Sequence, residues 1–132
     1  MGGKNACIVT ANADLDRAAD GIVRSAFGLS GQKCSAVSRI YVYDKVADPL
    51  VKKVQEKINA ITIGDPSRKE NWLGPVTTAS ALKNYERYSK ELTENGGRIL
   101  SGGKRLAEGE LTHGYFVAPT LAEAPATHPL FK

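Results

Sequence analysis

Short apolar runs alternate along this chain with longer stretches in which apolar residues return every third or fourth position. Ala6, Cys7, Ile8 and Val9 follow one another within Asn5 to Thr10, a run too short for a helix and suited to a buried strand. Leu15, Ala18, Ala19, Ile22, Val23, Ala26 and Phe27 then share one side of a helix, with Asp16, Arg17, Asp20 and Arg24 on the wet side. Asp14 is placed to cap that helix, because its carboxylate can accept from backbone N–H groups left free in the first turn. Gly28 is placed to stop it. Arg39 to Tyr43, RIYVY, is β-branched and aromatic and reads as a second strand. Asp48-Pro49 reads as an N-cap followed by proline at the first helical position, with Leu50, Val51, Val54, Ile58 and Ile61 as the stripe of the helix it opens.

The segment GDPSRKENWLGP, with two prolines and two glycines, is a loop. A third helix is expected from about Thr78, carrying Ala81, Leu82, Tyr85, Tyr88 and Leu92 at helical spacing and ended by Asn95-Gly96-Gly97. Two further strands are expected around Arg98–Ser101 and Tyr115–Leu121. The order strand, helix, strand, helix, helix, strand, strand predicts an α/β domain with a mostly parallel sheet.

Composition narrows the class. The 132 residues, 42% hydrophobic and 24% charged, are enough for one globular domain with a real core. No apolar run approaches the roughly eighteen residues of a membrane span, so no membrane partner is expected. MGGKNACIV lacks the apolar core of a signal peptide, and two cysteines, Cys7 and Cys34, suit a reducing compartment. A cytoplasmic location is the expectation. The net charge of +4 is spread over Lys52-Lys53, Lys57, Arg68-Lys69, Lys83, Arg87 and Lys104-Arg105, which alternate with acids. That pattern favours mixed helix surfaces over a nucleic-acid stripe. Met1-Gly2-Gly3 begins almost on a strand and Pro129-Leu130-Phe131-Lys132 stops just after apolar residues, so the chain is expected to be a piece of something longer.

Cys34 carries the chemical interest. It sits in GQKCSA, between Gly28 and Gly31 on one side and small residues on the other, where an accessible sulfur is expected. A thiol is only a few per cent ionised at neutral pH for a pKa of about 8.5, and Lys33 is a neighbouring positive charge that can favour the thiolate. Spacing alone leaves a nucleophile and an inert loop cysteine both open. Cys7, inside its apolar strand, reads as core. His113 and His128 have no His, Cys or acidic partner at ligand spacing, so no metal site is expected; a Cys-His pairing in space stays open. Ser101-Gly102-Gly103-Lys104-Arg105 fails the P-loop pattern, since Arg98 stands where its first glycine belongs and Arg105 replaces Ser or Thr. A glycine turn between strands is the better account. Gly2-Gly3-Lys4 is not a dinucleotide fingerprint.

Taken in order, GGKNACIV, NADLDRAA, GQKCSAVSRIYV, GDP, LGP, GYFVAPTL and HPLFK resemble the catalytic domain of the aldehyde dehydrogenase superfamily, and within it the 1-pyrroline-5-carboxylate (glutamate semialdehyde) dehydrogenases. The resemblance implies a three-layer αβα catalytic-domain fragment over residues 1–132, with the nucleotide-binding domain and C-terminal part outside it. It implies Cys34 as nucleophile, adding to an aldehyde to give a thiohemiacetal and then a thioester that water hydrolyses. Its oxyanion would meet the Cys34 N–H and an asparagine outside these residues, and the glutamate that activates water would fall just before Met1. It further implies Ser35 as a contact to the substrate carboxylate, Gly2 as a cofactor contact and NAD or NADP as the cofactor of the full-length enzyme, with none bound by this fragment alone. Small-molecule aldehyde substrates and a homo-oligomer joined through a sheet edge complete the expectation. The isolated 132 residues are expected to be catalytically silent.

Overall fold

The computed structural model describes residues 3–131, which divide into two compact units at the 62/63 junction. The first is built from β1 (Asn5–Val9), α1 (Leu15–Phe27), β2 (Val37–Val42) and α2 (Asp44–Asn59). Asp14 caps α1 as its sequence position suggests, its Oδ1 accepting from the N–H groups of Asp16 and Arg17 at 3.0 and 3.1 Å. The apolar stripe of α1 buries Ala19, Ile22 and Val23, that of α2 buries Leu50, Val54 and Ile58, and the two helices pack together. Lys53 reaches Asp16 and Lys57 reaches Asp20, each at 2.7 Å, so two consecutive turns of the helix pair are clipped at their rim. The Lys53 hydrogen bond and charge hold the Asp16 carboxyl below its ordinary pKa, and the same hydrogen bond raises that of Lys53. Exposed pairs of this kind contribute little and weaken in salt.

α2 begins upstream of the expected point, at Asp44 and not at Pro49. Tyr43 precedes its first residue, and Pro49 lies inside it. The Val46 N–H donates to the Tyr43 carbonyl at 2.9 Å, so an i→i+3 turn opens the helix upstream of the proline. Asp48 is therefore a helical residue and not the cap. Pro49 has no N–H to give the Lys45 carbonyl four residues back, so the helix lacks that one bond within its second turn.

β1 and β2 pair in parallel, Ala6 opposite Arg39, Cys7 opposite Ile40, Ile8 opposite Tyr41 and Val9 opposite Val42. The register slips between Asn5, which faces Val37, and Ala6, so Ser38 is the extra residue of a bulge. Parallel strands normally read as apolar throughout because both faces are covered. Here Val9 is buried, whereas Ile8 is 76% and Tyr41 50% exposed. This unit therefore covers one face of its pair and leaves the other open.

The second unit holds α3 (Ala79–Glu94), β3 (Arg98–Ser101) and β4 (Leu121–Glu123). GDPSRKENWLGP is a loop closed at its neck, where Ile63 bridges Leu73 and the Gly64 N–H donates to the Leu73 carbonyl at 3.0 Å. Thr78 caps α3 by accepting from the Ala81 N–H at 3.0 Å. Asn95-Gly96-Gly97 ends it as expected: Gly96 takes φ 86°, and the Gly97 N–H returns to the Leu92 carbonyl at 2.8 Å, which is a Schellman stop.

The expected strand over Tyr115–Leu121 is displaced. The antiparallel ladder with β3 uses Leu121–Glu123, while within 115–120 only Val117 forms a bridge, with Arg105. Pro119 has no N–H to donate, and the Ala118 carbonyl and Thr120 hydroxyl are taken by Tyr85 Oη at 2.8 and 2.7 Å. Backbone pairing at the Arg105–Val117 bridge is limited to two bonds, Leu106 N–H to the Phe116 carbonyl and Ala118 N–H to the Lys104 carbonyl, each at 2.9 Å. His128, 1% exposed, sets Nε2 against the Leu92 carbonyl at 3.1 Å and accepts the Leu130 N–H on Nδ1 at 3.2 Å. A ring that accepts on Nδ1 and donates from Nε2 is the neutral tautomer.

The class is mixed α/β, as expected, but the described strands form one parallel and one antiparallel pair and not one mostly parallel sheet. Burial pushes the Tyr85 hydroxyl above its ordinary pKa, with its hydrogen bonds opposing part of the shift. Its neutral form therefore stabilises the fold below about pH 10, and that contribution is lost as pH rises further. Tyr85→Phe is expected to cost about 1–2 kcal/mol by urea unfolding at pH 7 and to flatten the loss of stability of the wild type above about pH 10.

Candidate functional site

After α1, Gly28 to Gly31 form a single short turn in which Leu29 and Ser30 take φ of 54° and 56° and Gly31 takes 69°. Left-handed backbone costs an ordinary L-residue roughly 1–2 kcal/mol, and only the third position is a glycine. The turn is held shut at the Leu29 carbonyl, which accepts from the Gln32 backbone N–H at 3.1 Å and from Gln32 Nε2 at 3.2 Å. Lys33 folds back over Gly28: a Cβ on that glycine would stand 2.9 Å from Nζ. The ammonium therefore lies at the C-terminal end of α1, where a cation suits the helix dipole.

A second turn follows directly. The Ala36 N–H donates to the Lys33 carbonyl at 3.1 Å, leaving Cys34 and Ser35 at the tip, both exposed. With the Lys33 carbonyl drawn inward and every described peptide trans, the Cys34 N–H faces out of the turn. Sulfur and backbone donor are thus presented on one exposed residue. Cys7 is half-buried on β1, and both thiols are free.

Three residues that the sequence reading did not single out support this tip. Asn5, at the head of β1, donates from Nδ2 to the Cys34 carbonyl at 2.7 Å and to the Ala36 carbonyl at 3.1 Å. Gly3 lets the Cys34 carbonyl come close, since a Cβ there would stand 2.8 Å from that oxygen. From the other side Ser25 Oγ, on α1, accepts the Val37 N–H at 3.2 Å. The signal in the sequence was a lone polar side chain opening an apolar strand, and it carried no pointer to a partner 29 residues away.

Gly2, the expected cofactor contact, lies outside the described residues. The glycine turn at 102–103 offers no open phosphate cradle: a Cβ on Gly102 would meet the Pro119 carbonyl oxygen at 2.2 Å, and the Gly103 N–H is spent on Thr120 Oγ1 at 2.9 Å. No group of three or more His, Cys, Asp or Glu could hold a metal ion among the described residues. His113 is exposed on a 3₁₀ turn and His128 is used for packing. No described helix is long and apolar enough to cross a membrane.

A sharply turned, exposed cysteine is thus presented beside a parallel βαβ unit. The chain belongs to the aldehyde dehydrogenase family, whose sequence profile it matches over residues 1–132. It is 40% identical to 1-pyrroline-5-carboxylate dehydrogenase 1 of Halalkalibacterium halodurans over 121 residues, 92% of this chain and 22% of that protein. It is 36% identical to the alpha-ketoglutaric semialdehyde dehydrogenase of Bacillus subtilis over 121 residues, 92% of this chain and 25% of the relative. The crystal structure of a Thermus 1-pyrroline-5-carboxylate dehydrogenase with bound NAD superposes on the whole chain with a TM-score of 0.89 at 38% identity, and the match takes in 25% of that structure. The chain therefore spans about a quarter of the length of the relatives it matches.

Exposure at the turn tip should separate the two thiols. Iodoacetamide is expected to alkylate Cys34 at least about tenfold faster than the half-buried Cys7, read by peptide mass spectrometry over time. Equal rates would mean that the tip is not presented as described.

Proposed function

We propose that these residues are the cysteine-bearing part of the catalytic domain of an NAD(P)-dependent aldehyde dehydrogenase, and that its substrate is glutamate semialdehyde, oxidised to glutamate. The observation that carries the reading is Cys34 itself: an exposed thiol at the tip of a hydrogen-bonded turn, in a chain of this family. The substrate reading is supported by the 40% identity to a 1-pyrroline-5-carboxylate dehydrogenase, against 36% to the alpha-ketoglutaric semialdehyde dehydrogenase. The three-layer αβα arrangement is proposed for the longer fold, in which further elements cover the open Ile8–Tyr41 face.

The chemistry assigned to this chain is addition. The Cys34 thiolate attacks the aldehyde carbon, the C–S bond forms as the carbonyl π pair moves to oxygen, and the oxyanion so formed needs donors already in place. The outward-facing Cys34 N–H supplies one of them. NAD(P)⁺, when bound, supplies the hydride acceptor of this reaction class. Ser35, exposed beside the sulfur, offers a hydroxyl donor to the substrate carboxylate.

Cys34→Ser in the natural polypeptide that carries these residues is expected to lower aldehyde oxidation by at least about 1,000-fold, as loss of a covalent nucleophile does. Ser35→Ala is expected to raise KM for glutamate semialdehyde several-fold and to leave KM for an uncharged aldehyde unchanged; equal changes would remove the carboxylate role. The 132 residues alone are expected to give no NADH from any aldehyde, and measurable NADH formation would overturn that expectation.

A second reading rests on the sheet. Each strand of the β1–β2 pair has one partner among the described residues, and the pair displays Ile8 and Tyr41 side by side. Unpaired edges template pairing with another chain, so self-association through this edge is proposed for the 132-residue chain. Light scattering across a concentration series is expected to show mass rising with concentration, and a constant monomer mass would remove the reading.

A further inference from the structure

We infer that Asn5 is a positioning residue for the nucleophile turn, holding the Cys34–Ser35 peptide in one of its two available orientations; this rests on the reading of Cys34 as the nucleophile. A four-residue turn can be closed in two ways that differ by rotation of its central peptide through about 180°. In the turn from Lys33 to Ala36 that peptide joins Cys34 to Ser35. The orientation present is fixed by two contacts from one short stretch. Asn5 Nδ2 donates to the Cys34 carbonyl at 2.7 Å, and Gly3 has no Cβ to obstruct that oxygen. Positive φ among the described non-glycine residues occurs at Leu29 and Ser30 alone, so Ser35 is not in the flipped form.

The same amide nitrogen also holds the Ala36 carbonyl at 3.1 Å, while the next N–H, that of Val37, donates to Ser25 Oγ in the opposite direction. The Cys34–Ser35 and Ala36–Val37 peptides are therefore oriented with their carbonyls toward the head of β1. Their N–H groups are turned the other way, since the peptides are trans. The β1–β2 bulge belongs to the same device. The register slip falls between Asn5 and Ala6, and Ser38 Oγ donates to the Asn5 carbonyl at 3.3 Å. The slip places the Asn5 side chain across the turn, with its own backbone tied to the far end of it.

Loss of the Asn5 donor leaves the sulfur and the Cys34 N–H in place but frees the central peptide to rotate, which swings the Cys34 carbonyl oxygen round to the side where the Ser35 N–H now lies. Reactions that develop charge on oxygen next to Cys34 then suffer, and reactions that need only an exposed thiolate do not. Iodoacetamide tests the latter, because sulfur displaces iodide and no oxyanion forms. Aldehyde addition tests the former.

The experiment compares Asn5→Ala, the isosteric Asn5→Asp and wild type in the natural polypeptide carrying these residues, by turnover with glutamate semialdehyde and by iodoacetamide labelling of Cys34 and Cys7. Both variants are expected to lose kcat by about 10- to 100-fold, less than the roughly 100- to 1,000-fold cost of removing an oxyanion donor outright, with KM within about threefold of wild type. The Cys34 labelling rate should stay within threefold, and Cys7 should stay slow, which reports an intact fold. Asn5→Ser, with a shorter donor, should recover part of kcat. Wild-type kcat in Asn5→Asp with Cys7 still slow overturns the inference. So does a kcat loss matched by an equal loss of Cys34 labelling, which marks a general structural defect. Full turnover in Cys34→Ser overturns the nucleophile reading instead, and is recognisable because Asn5 plays no part in that result.

Discussion

The amide of Asn5 is the point where the first unit becomes more than a helix pair beside two strands. Its backbone belongs to the parallel ladder and its side chain to the turn that carries Cys34. Buried apolar surface on α1 and α2 supplies the bulk of the stabilisation, because burial is worth roughly 25 cal/mol per Å² regardless of direction. Direction has to come from polar contacts, which are weaker in sum but geometrically strict. Position and orientation are thus set by different forces at the same few residues.

The second unit follows a similar division. Leu73, Val76, Leu82, Phe116 and Ala118 are its buried apolar residues, and Tyr85 decides how the chain runs past them. Its hydroxyl holds the Ala118 carbonyl and the Thr120 hydroxyl, so the end of this stretch is tied to α3. His128 acts in the same way near the end of the described chain, with both ring nitrogens engaged by backbone groups.

Much of this was legible in the sequence, and the limits were physical. β1, α1 with its Asp14 cap, and the Asn95-Gly96-Gly97 stop follow from local pattern, because the groups that satisfy their backbone lie within a few residues. The start of α2 misled because Asp48-Pro49 is a strong helix-start signal, whereas the turn that opens the helix uses a backbone bond from Val46 to Tyr43 with no side-chain signature. Tyr115–Leu121 has strand composition, yet Tyr85 lies some 30 positions earlier and competes for its polar groups. Cys34 drew notice through its glycines and small neighbours. Its supports did not, since Asn5 is 29 residues away in sequence and no local rule links them. The left-handed backbone at Leu29 and Ser30 was equally hidden, because neither residue type announces it.

That last turn bears on how the protein could be improved by engineering. Two side chains sit where the backbone favours glycine, and Leu29 leaves 73% of its surface in water, so its packing returns little. The strain is stored energy present in every folded molecule, released whenever the chain opens. It lies upstream of the Cys34 turn and touches none of the bonds that orient it. A search for hardier variants has an opening here that the core does not provide: at Leu29 and Ser30 the native residues work against the fold.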